Sequence, residues 1–543
     1  MSASTVAYFC MEYGLESGFT IYAGGLGVLA GDHVKSAGDL RVPLIAIGLL
    51  WDEGYTRQAV NQAGGVDDFH PKTPRDLLRR LDARFEVTVQ GKSVPCTAWR
   101  VEHIVSVPLY LIEPIHEEDR WITQRLYGGG EEDRVAQEVL LGVGGVRLLS
   151  ALGIRPEIFH FNEGHAVFAG LELLRENRFG GDNLAERVNN LRTHVVFTTH
   201  TPVAAGNEVH SLELLRKVGA DLGFSDEDLG YVGGNPFSMT VAGLRMARIA
   251  NAVAELHGDT ARKMWKDVER AAPIVHVTNG VHPGTWQDAR IRAALAPDKD
   301  RGTQDAQLAE ARAAMKDELI TAVGKRAGVH FRRDQILIGF ARRAASYKRA
   351  DLILGDHHQL SELFGRGVQL VFSGKAHPKD IAGKSVVSRL AAAAREFPGH
   401  VAFVNAYDME LGALLTRGVD VWLNNPRRPL EASGTSGMKA AMNGVPNLSI
   451  LDGWWPEGCR HGETGWKIGD PDPSDDAFSE VDAPRIDSRD RASLYRVLFD
   501  EVLPAYADRG HWTSIMRASV AMSSWRFSSD RMVEEYVRNL YWP

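Results

Sequence analysis

The sequence predicts an α/β protein of two doubly wound parallel-sheet domains facing a cleft. Three observations carry that prediction. Short apolar runs bounded by Gly, Pro or Asp alternate with longer helical patterns along the 543 residues, as sheets built from βαβ units require. The runs fall into two sets, separated by the polar stretch Ile291–Phe331, rich in Ala, Asp, Lys, Arg and Gln, which reads as a solvated helical connector. Almost every unusual motif follows one of the runs, at the strand ends where ligands of parallel sheets bind.

Taken in order, the first set places strands at Val6–Met11, Leu44–Leu50, Leu109–Glu113, Ile158–Phe161, His194–Thr199 and Ile274–Thr278. The second places them at Ile336–Ala341, Val368–Ser373, Val401–Asn405, Val419–Leu423 and Leu448–Leu451. An N-terminal domain is therefore expected over residues 1–290 and a C-terminal one over 291–525. In the tail, 526–543, the amphipathic run Asp530–Tyr541 reads as a terminal helix packed on the body. Gly469–Asp487, with several Asp and Pro, is the most loop-like stretch.

Composition narrows the function classes. Lys+Arg 62 against Asp+Glu 70 gives a formal charge of −8, with no basic stripe, so nucleic acid and anionic membrane surfaces are not expected as partners. Apolar residues at 44% and charged ones at 24% fit an ordinary globular chain. The absence of a long apolar run and of a basic, apolar leader points to a cytoplasmic location. Cys10, Cys96 and Cys459 are isolated thiols, suggesting neither a disulfide framework nor a zinc knuckle.

After the first expected strand comes Ile21-Tyr22-Ala23-Gly24-Gly25-Leu26-Gly27, leading into a helical pattern. It is either plain turn chemistry or an anion site made of bare amides at a helix N-terminus. The second glycine cluster is richer: Glu431-Ala432-Ser433-Gly434-Thr435-Ser436-Gly437-Met438-Lys439. Small residues there let backbone approach a ligand, the hydroxyls add donors, and Lys439 sits on the rim of a phosphate cradle. Such a lysine pairs with phosphate as a point charge, forms a Schiff base with an aldehyde cofactor, or is simply a surface lysine on a helix start. Arg342, Arg343, Lys348 and Arg349 follow the strand Ile336–Ala341, as a solvated basic face or as a focus for phosphate. Three strand ends bear His and Asn: His160-Phe161-Asn162-Glu163-Gly164-His165, Thr199-His200-Thr201 and Asn279-Gly280-Val281-His282. Their spacing is not that of HExxH and Asn is a poor transition-metal ligand, so hydroxyl recognition explains the set better than a metal does. A glycosidase pair among Glu163, Asp420, Glu431 and Asp452 stays open, as does sugar stacking or core packing for Trp454-Trp455.

The ordered series IYAGGLGVLAGDH, HFNEGHA, FTTHTPVAAGNE, LHGDTARKMW, HVTNGVHPGTW, GFARRAASYKRA, FSGKAHPKD, NAYDMELG, VDVWLNNPRRPLEASGTSGMKAAMNG and LDGWW covers nearly the whole chain. It resembles the α-glucan phosphorylases, specifically the short bacterial glycogen/maltodextrin type. The resemblance implies two Rossmann-like domains in a GT-B fold. It also implies retaining phosphorolysis of α-1,4-glucan or maltooligosaccharide by inorganic phosphate to glucose 1-phosphate, with pyridoxal 5′-phosphate held as a Schiff base by Lys439. Carried over by position, Gly434, Thr435, Ser436, Tyr407 and Arg342 would hold the cofactor phosphate. Arg343, Lys348 and the Gly24-Gly25 turn, through the Gly25 amide, would hold the attacking phosphate. His200, Asn279, Glu431 and Ser433 would hold the glucosyl unit, with Tyr347 and His165 as further sugar contacts. A homodimer is the family's habit.

Two positions depart from the pattern: Asn207 stands where His is expected and Ala344 where an aromatic is expected. They raise the alternative of a phosphorylase-like transferase with another sugar or acceptor. A nucleotide-sugar GT-B transferase would share the architecture without needing Lys439, and a non-catalytic glucan-binding protein would not need Arg343, Lys348 and Lys439 together. The N-terminal extension that carries phosphorylation and nucleotide control in animal glycogen phosphorylases has no counterpart before the first expected strand, so that control is not expected.

Overall fold

The computed structural model describes residues 5–203, 206–471 and 480–543. The chain divides into two compact units, one of Met1–Tyr55, His70–Thr278 and Met532–Pro543, the other of Thr56–Phe69 and Asn279–Arg531.

The first unit holds a ten-stranded sheet: β1 (Val6–Phe9), β2 (Leu44–Leu49), β3 (Leu78–Arg80), β4 (Phe85–Val89), β5 (Lys92–Val101), β6 (Leu109–Pro114), β7 (Ile158–Asn162), β8 (Val195–Thr198), β9 (Ile249–Ala252) and β10 (Ile274–His276). The spatial order is β10-β9-β8-β7-β1-β2-β6-β5-β3, with β4 paired to β5. From β10 to β6 the pairing is parallel, and β3, β4 and β5 add an antiparallel edge. Residues of β1 and β7 are buried on both faces, which is why these strands read as nearly continuous apolar runs. The chain steps outward from β1 through β2 and β6 and returns to the other side of β1 with β7. That reversal opens a crevice at the carboxyl ends of β1 and β7, where parallel sheets bind ligands. Helix α1 (Gly25–Asp39) follows β1, and α2 (Glu131–Ala151) lies against the sheet. At Gly145 of α2 a Cβ would sit 2.4 Å from the Phe9 ring, so this helix approaches the strands as only glycine permits.

The second unit has a six-stranded, all-parallel sheet: β11 (Ile336–Ala341), β12 (Val368–Ser373), β13 (Val401–Val404), β14 (Val421–Asn424), β15 (Asn447–Ile450) and β16 (Gly465–Ile468), in the order β13-β12-β11-β14-β15-β16. Here the reversal falls between β11 and β14. Arg342 and Arg343 leave the first of these strands, and the segment leading to Glu431 leaves the second.

Some boundaries differ from the sequence reading. Residues 279–290 belong to the second unit, because Val281 N–H donates to the Phe527 carbonyl, Gln287 Nε2 to the Met442 carbonyl and Asn443 Nδ2 to the Trp286 carbonyl, each at 2.9 Å. The stretch read as a solvated connector contains α3 (Arg301–Ala327), which buries Leu308, Ala311, Met315, Leu319 and Val323. Its Arg312 and Lys316 are buried too, Lys316 pairing with Asp420 at 2.6 Å, so charges that read as solvated serve the interior. Thr56–Phe69, a hairpin of Arg57–Val60 and Val66–Phe69, joins the second unit through Gln58, whose amide exchanges two hydrogen bonds with the backbone of Ala376 at 2.7 and 2.9 Å. The tail forms a helix at Ser529–Tyr536 and a wider turn at Val537–Tyr541, and from Met532 on it belongs to the first unit. Of the loop-like stretch, 472–479 lies outside the described residues, and a helix starts at Ala483.

β9, which the sequence reading omits, reads Ile-Ala-Asn-Ala, too short and too small to stand out. Its Asn251 earns a central place through side-chain bonding. Thr198 Oγ1 donates to Asn251 Oδ1 at 2.7 Å, and Asn251 Nδ2 donates to Tyr536 Oη at 2.8 Å.

Candidate active site

In the second unit, the reversal between β11 and β14 gathers the basic residues. Arg342 Nη2 lies 2.7 Å and Lys348 Nζ 2.9 Å from Glu431 Oε2, and Lys348 also donates to Oε1 at 3.2 Å. All three are buried. Burial alone would raise the Glu431 pKa, but the Arg342 guanidinium and Lys348 ammonium hold it down to about 2. Lys348 responds oppositely: desolvation, aided by repulsion from Arg342, brings its ammonium down to about 7 despite Glu431. With Lys348 protonated, two cations against one carboxylate leave a net positive, water-poor site, suited to a further anion. Arg343 is exposed beside this group. Tyr347 lies under Lys348, its ring centroid 4.8 Å from Nζ, and Tyr407 is half-buried near Arg342, its hydroxyl pushed up to about 12 by desolvation.

The neighbouring helix α4 (Thr435–Met442) is capped by Gly434 at φ 85, a left-handed conformation costly for other residues. A Cβ on Gly434 would reach within 3.5 Å of Arg342 Nη2, so the missing side chain keeps open the space between the helix start and the guanidinium. Thr435 and Ser436 form the first turn, and Ser436 Oγ accepts from Trp422 Nε1 at 3.3 Å. Lys439 is 8% exposed, with Nζ 3.5 Å from the Trp286 ring centroid. Trp286 is thus a wall of the site that the sequence reading missed; only its place in HPGTW hinted at it. Ser433 Oγ and Asn279 Oδ1 are buried without a hydrogen-bond partner among the described residues, as groups awaiting a polar ligand would be.

The first unit organises its crevice around carboxylates. Glu12, buried after β1, accepts from the Ala23 amide at 2.6 Å, the Gly24 amide at 3.3 Å and the Tyr127 hydroxyl at 2.6 Å. Gly24, expected with Gly25 to bind substrate, therefore has its amide engaged by the protein's own anion, and Gly25, whose amide was the expected donor, heads α1. At the end of β7, Glu163 accepts from the His200 amide at 2.9 Å, the Thr201 hydroxyl at 2.8 Å and the Gly164 amide at 3.0 Å. His200 Nε2–H donates to Asn162 Oδ1 at 2.6 Å, and burial brings the His200 imidazole down to about 3, so it is neutral. His165 is likewise neutral, brought down to about 3 by burial, with its ring 6.0 Å from that of Tyr127. Asn207 spans its loop, donating to the Val203 carbonyl at 2.9 Å and accepting from the Thr240 hydroxyl at 2.7 Å. Ala344 is buried.

Other readings fall away. Asp420 pairs with Lys316 and accepts from the Leu337 amide, while Glu163 caps backbone, so neither is half of a glycosidase pair. Trp454 and Trp455 are buried, edge to face at 5.1 Å, as core. The thiols of Cys10, Cys96 and Cys459 are each pushed up to about 12, chiefly by burial, and are poor nucleophiles. No helix among the described residues is long and apolar enough to cross a membrane.

The family model for carbohydrate phosphorylases matches residues 276–455, the stretch from β10 to the Trp454-Trp455 pair. The maltodextrin phosphorylase of Thermococcus litoralis is 38% identical over 99% of this chain and 70% of its own length. The chain belongs to the carbohydrate phosphorylase family. The glycogen phosphorylases of Mycobacterium tuberculosis and Aquifex aeolicus are 36% and 35% identical over 99% of this chain, and 71% and 86% of theirs. Two doubly wound sheets accord with the GT-B fold of carbohydrate phosphorylases. Within that family frame, Arg342, Lys348, Tyr347, Glu431, Ser433 and Gly434 come together in the second unit, with Lys439 on the adjoining helix, while Gly25, His165 and His200 lie at strand ends of the first. Glu12 and Tyr127 of the first unit and Trp286 of the second were not singled out in the sequence, and Asp452 was weighed there only as one carboxylate of a glycosidase pair.

Proposed function

We propose that the protein is a retaining α-1,4-glucan phosphorylase, converting glucan and inorganic phosphate to α-glucose 1-phosphate and a shortened glucan. The observation that carries this reading is the buried Arg342–Glu431–Lys348 cluster beside the small-residue start of α4, which bears a buried Lys439. The space a Cβ on Gly434 would fill, next to Arg342, suits the phosphate of pyridoxal 5′-phosphate, and Lys439 supplies the amine to hold it. When bound, that cofactor supplies a phosphate able to exchange a proton with substrate phosphate.

The chain's own residues would do the rest. Arg342, Tyr407 and the Gly434-Thr435-Ser436 backbone would anchor the cofactor phosphate. Arg343, Lys348 and the Gly25 amide would bind the attacking phosphate, and their positive charge would let two anions approach. An anion beside Lys348 would restore the ammonium lost to burial, so phosphate would bind with proton uptake at Nζ near neutral pH. Glu431, Ser433, Asn279 and His200 would hold sugar hydroxyls, and the His200 carbonyl would face developing positive charge. Neutral His200 suits hydroxyl recognition, because with Nε2–H donating to Asn162 its Nδ1 is an acceptor for a hydroxyl.

Incubation with maltoheptaose and inorganic phosphate tests this directly, with glucose 1-phosphate and cofactor absorbance read from one sample. Product with bound cofactor is expected. Cofactor without product would move the reading to another sugar or acceptor, and neither signal after reconstitution with cofactor would refute it.

A further inference from the structure

Asp452 sits on the turn after β15 and is 3% exposed. Its two carboxyl oxygens serve two segments. Oδ2 accepts from the Glu431 amide at 2.9 Å, and Oδ1 from the Gly453 amide at 2.8 Å. The turn returns a bond, Trp454 N–H donating to the Ser433 carbonyl at 2.9 Å. At Gly453, φ is +58 and a Cβ would lie 2.3 Å from the Ser433 carbonyl oxygen and 3.2 Å from Glu431 Cγ. Turn and Glu431–Ser433 segment therefore meet backbone to backbone, with Asp452 as the clasp.

A carboxyl in that place is costly. The charged and titratable groups around it are Glu431, Arg428 and Tyr347. Burial, then repulsion from Glu431, pushes Asp452 up to about 7. Closing a turn needs one acceptor, whereas Asp452 offers two oxygens to two loops, one of which carries the carboxylate that sits between Arg342 and Lys348.

We propose that Asp452 is a positioning residue that fixes the Glu431–Ser433 backbone, and through it the Glu431 carboxylate between Arg342 and Lys348. The inference rests on the phosphorylase reading for its kinetic consequence, but not for its effect on the phosphate-binding cluster. Asp452→Asn keeps the shape and loses one acceptor and the charge; Asp452→Ser is the second variant should that one fail to fold. In the cofactor-loaded enzyme, wild-type glucose 1-phosphate release from maltoheptaose is measured first. The variant's kcat is then expected to fall roughly 100-fold, the cost of misplacing reacting groups by about 1 Å. Bound cofactor per chain should stay unchanged. Calorimetric affinity for inorganic phosphate, which needs no turnover, should weaken about tenfold, about 1.4 kcal/mol. A kcat within twofold of wild type overturns the proposal, as does cofactor loss in proportion to activity. If wild-type protein makes no product, the phosphorylase reading fails on its own, and unchanged phosphate affinity in the variant then overturns the positioning role separately.

Discussion

Replacing Lys348 with Met should stabilise the ligand-free protein while abolishing phosphate use. Burial, with Arg342 close by, depresses the Lys348 ammonium from 10.5 to about 7 even with Glu431 at 2.9 Å. A depressed folded-state pKa means stability is given up as pH falls from the unfolded value, 10.5, to about 7, and the loss is constant below that. At pH 7 the difference corresponds to roughly 4 kcal/mol, since one pKa unit is about 1.4 kcal/mol. Glu431 would keep its Arg342 partner at 2.7 Å, so the carboxylate is not orphaned. Met fills most of the lysine stem's volume without its charge. Because the variant gives up the Lys348–Glu431 hydrogen bonds along with the charge, the expected gain is about 2–4 kcal/mol, or roughly 4–8 °C in Tm for a unit of this size. The assay is denaturation of Lys348→Met against wild type without cofactor or phosphate, at pH 6.5, 8.5 and 10.5, together with phosphorolysis. The stabilisation should shrink toward pH 10.5, and activity should be lost at every pH. A Lys348→Met protein less stable than wild type by 1 kcal/mol or more at pH 6.5 would refute the reasoning, showing that the ion pair with Glu431 outweighs desolvation.

Further expectations concern the other elements. Lys439→Ala should leave protein without a borohydride-reducible cofactor adduct, and an adduct surviving in that variant would remove Lys439 as the anchor. Arg343→Ala, at an exposed position, should raise the KM for phosphate by about tenfold or more with little change in Tm; an unchanged phosphate dependence would take Arg343 out of the site. Tyr541→Phe should destabilise the protein by about 1–3 kcal/mol, because its hydroxyl bridges His160 Nδ1 at 2.8 Å and His33 Nε2 at 3.2 Å in a buried chain that continues from His160 Nε2 to Thr198 Oγ1 at 2.7 Å. Denaturant midpoints check this, and a change below 0.5 kcal/mol would mean that water replaces the hydroxyl.

The sequence alone determined most of the two parallel sheets, because strands covered on both faces must be apolar runs, and such runs are visible without any contact information. β11 and β12 have the boundaries read from sequence, and most other strands agree within a residue or two. It also determined that Lys439, Arg342, Lys348 and Glu431 are chemically unusual in their surroundings. It did not reveal β9, whose Asn251 is satisfied by Thr198 and Tyr536, residues distant along the chain. Nor did it reveal that α3 buries Arg312 and Lys316, since charge in sequence reads as solvent exposure until its partners are known. Only the tertiary structure decided that the Gly24 amide is taken by Glu12, that Trp286 lies over Lys439, and that Asp452 clasps the Glu431 backbone. Each of these depends on separate segments meeting in the packed structure. Periodicity reports which face of an element is apolar, but which polar atom finds which partner is fixed by how the elements are packed.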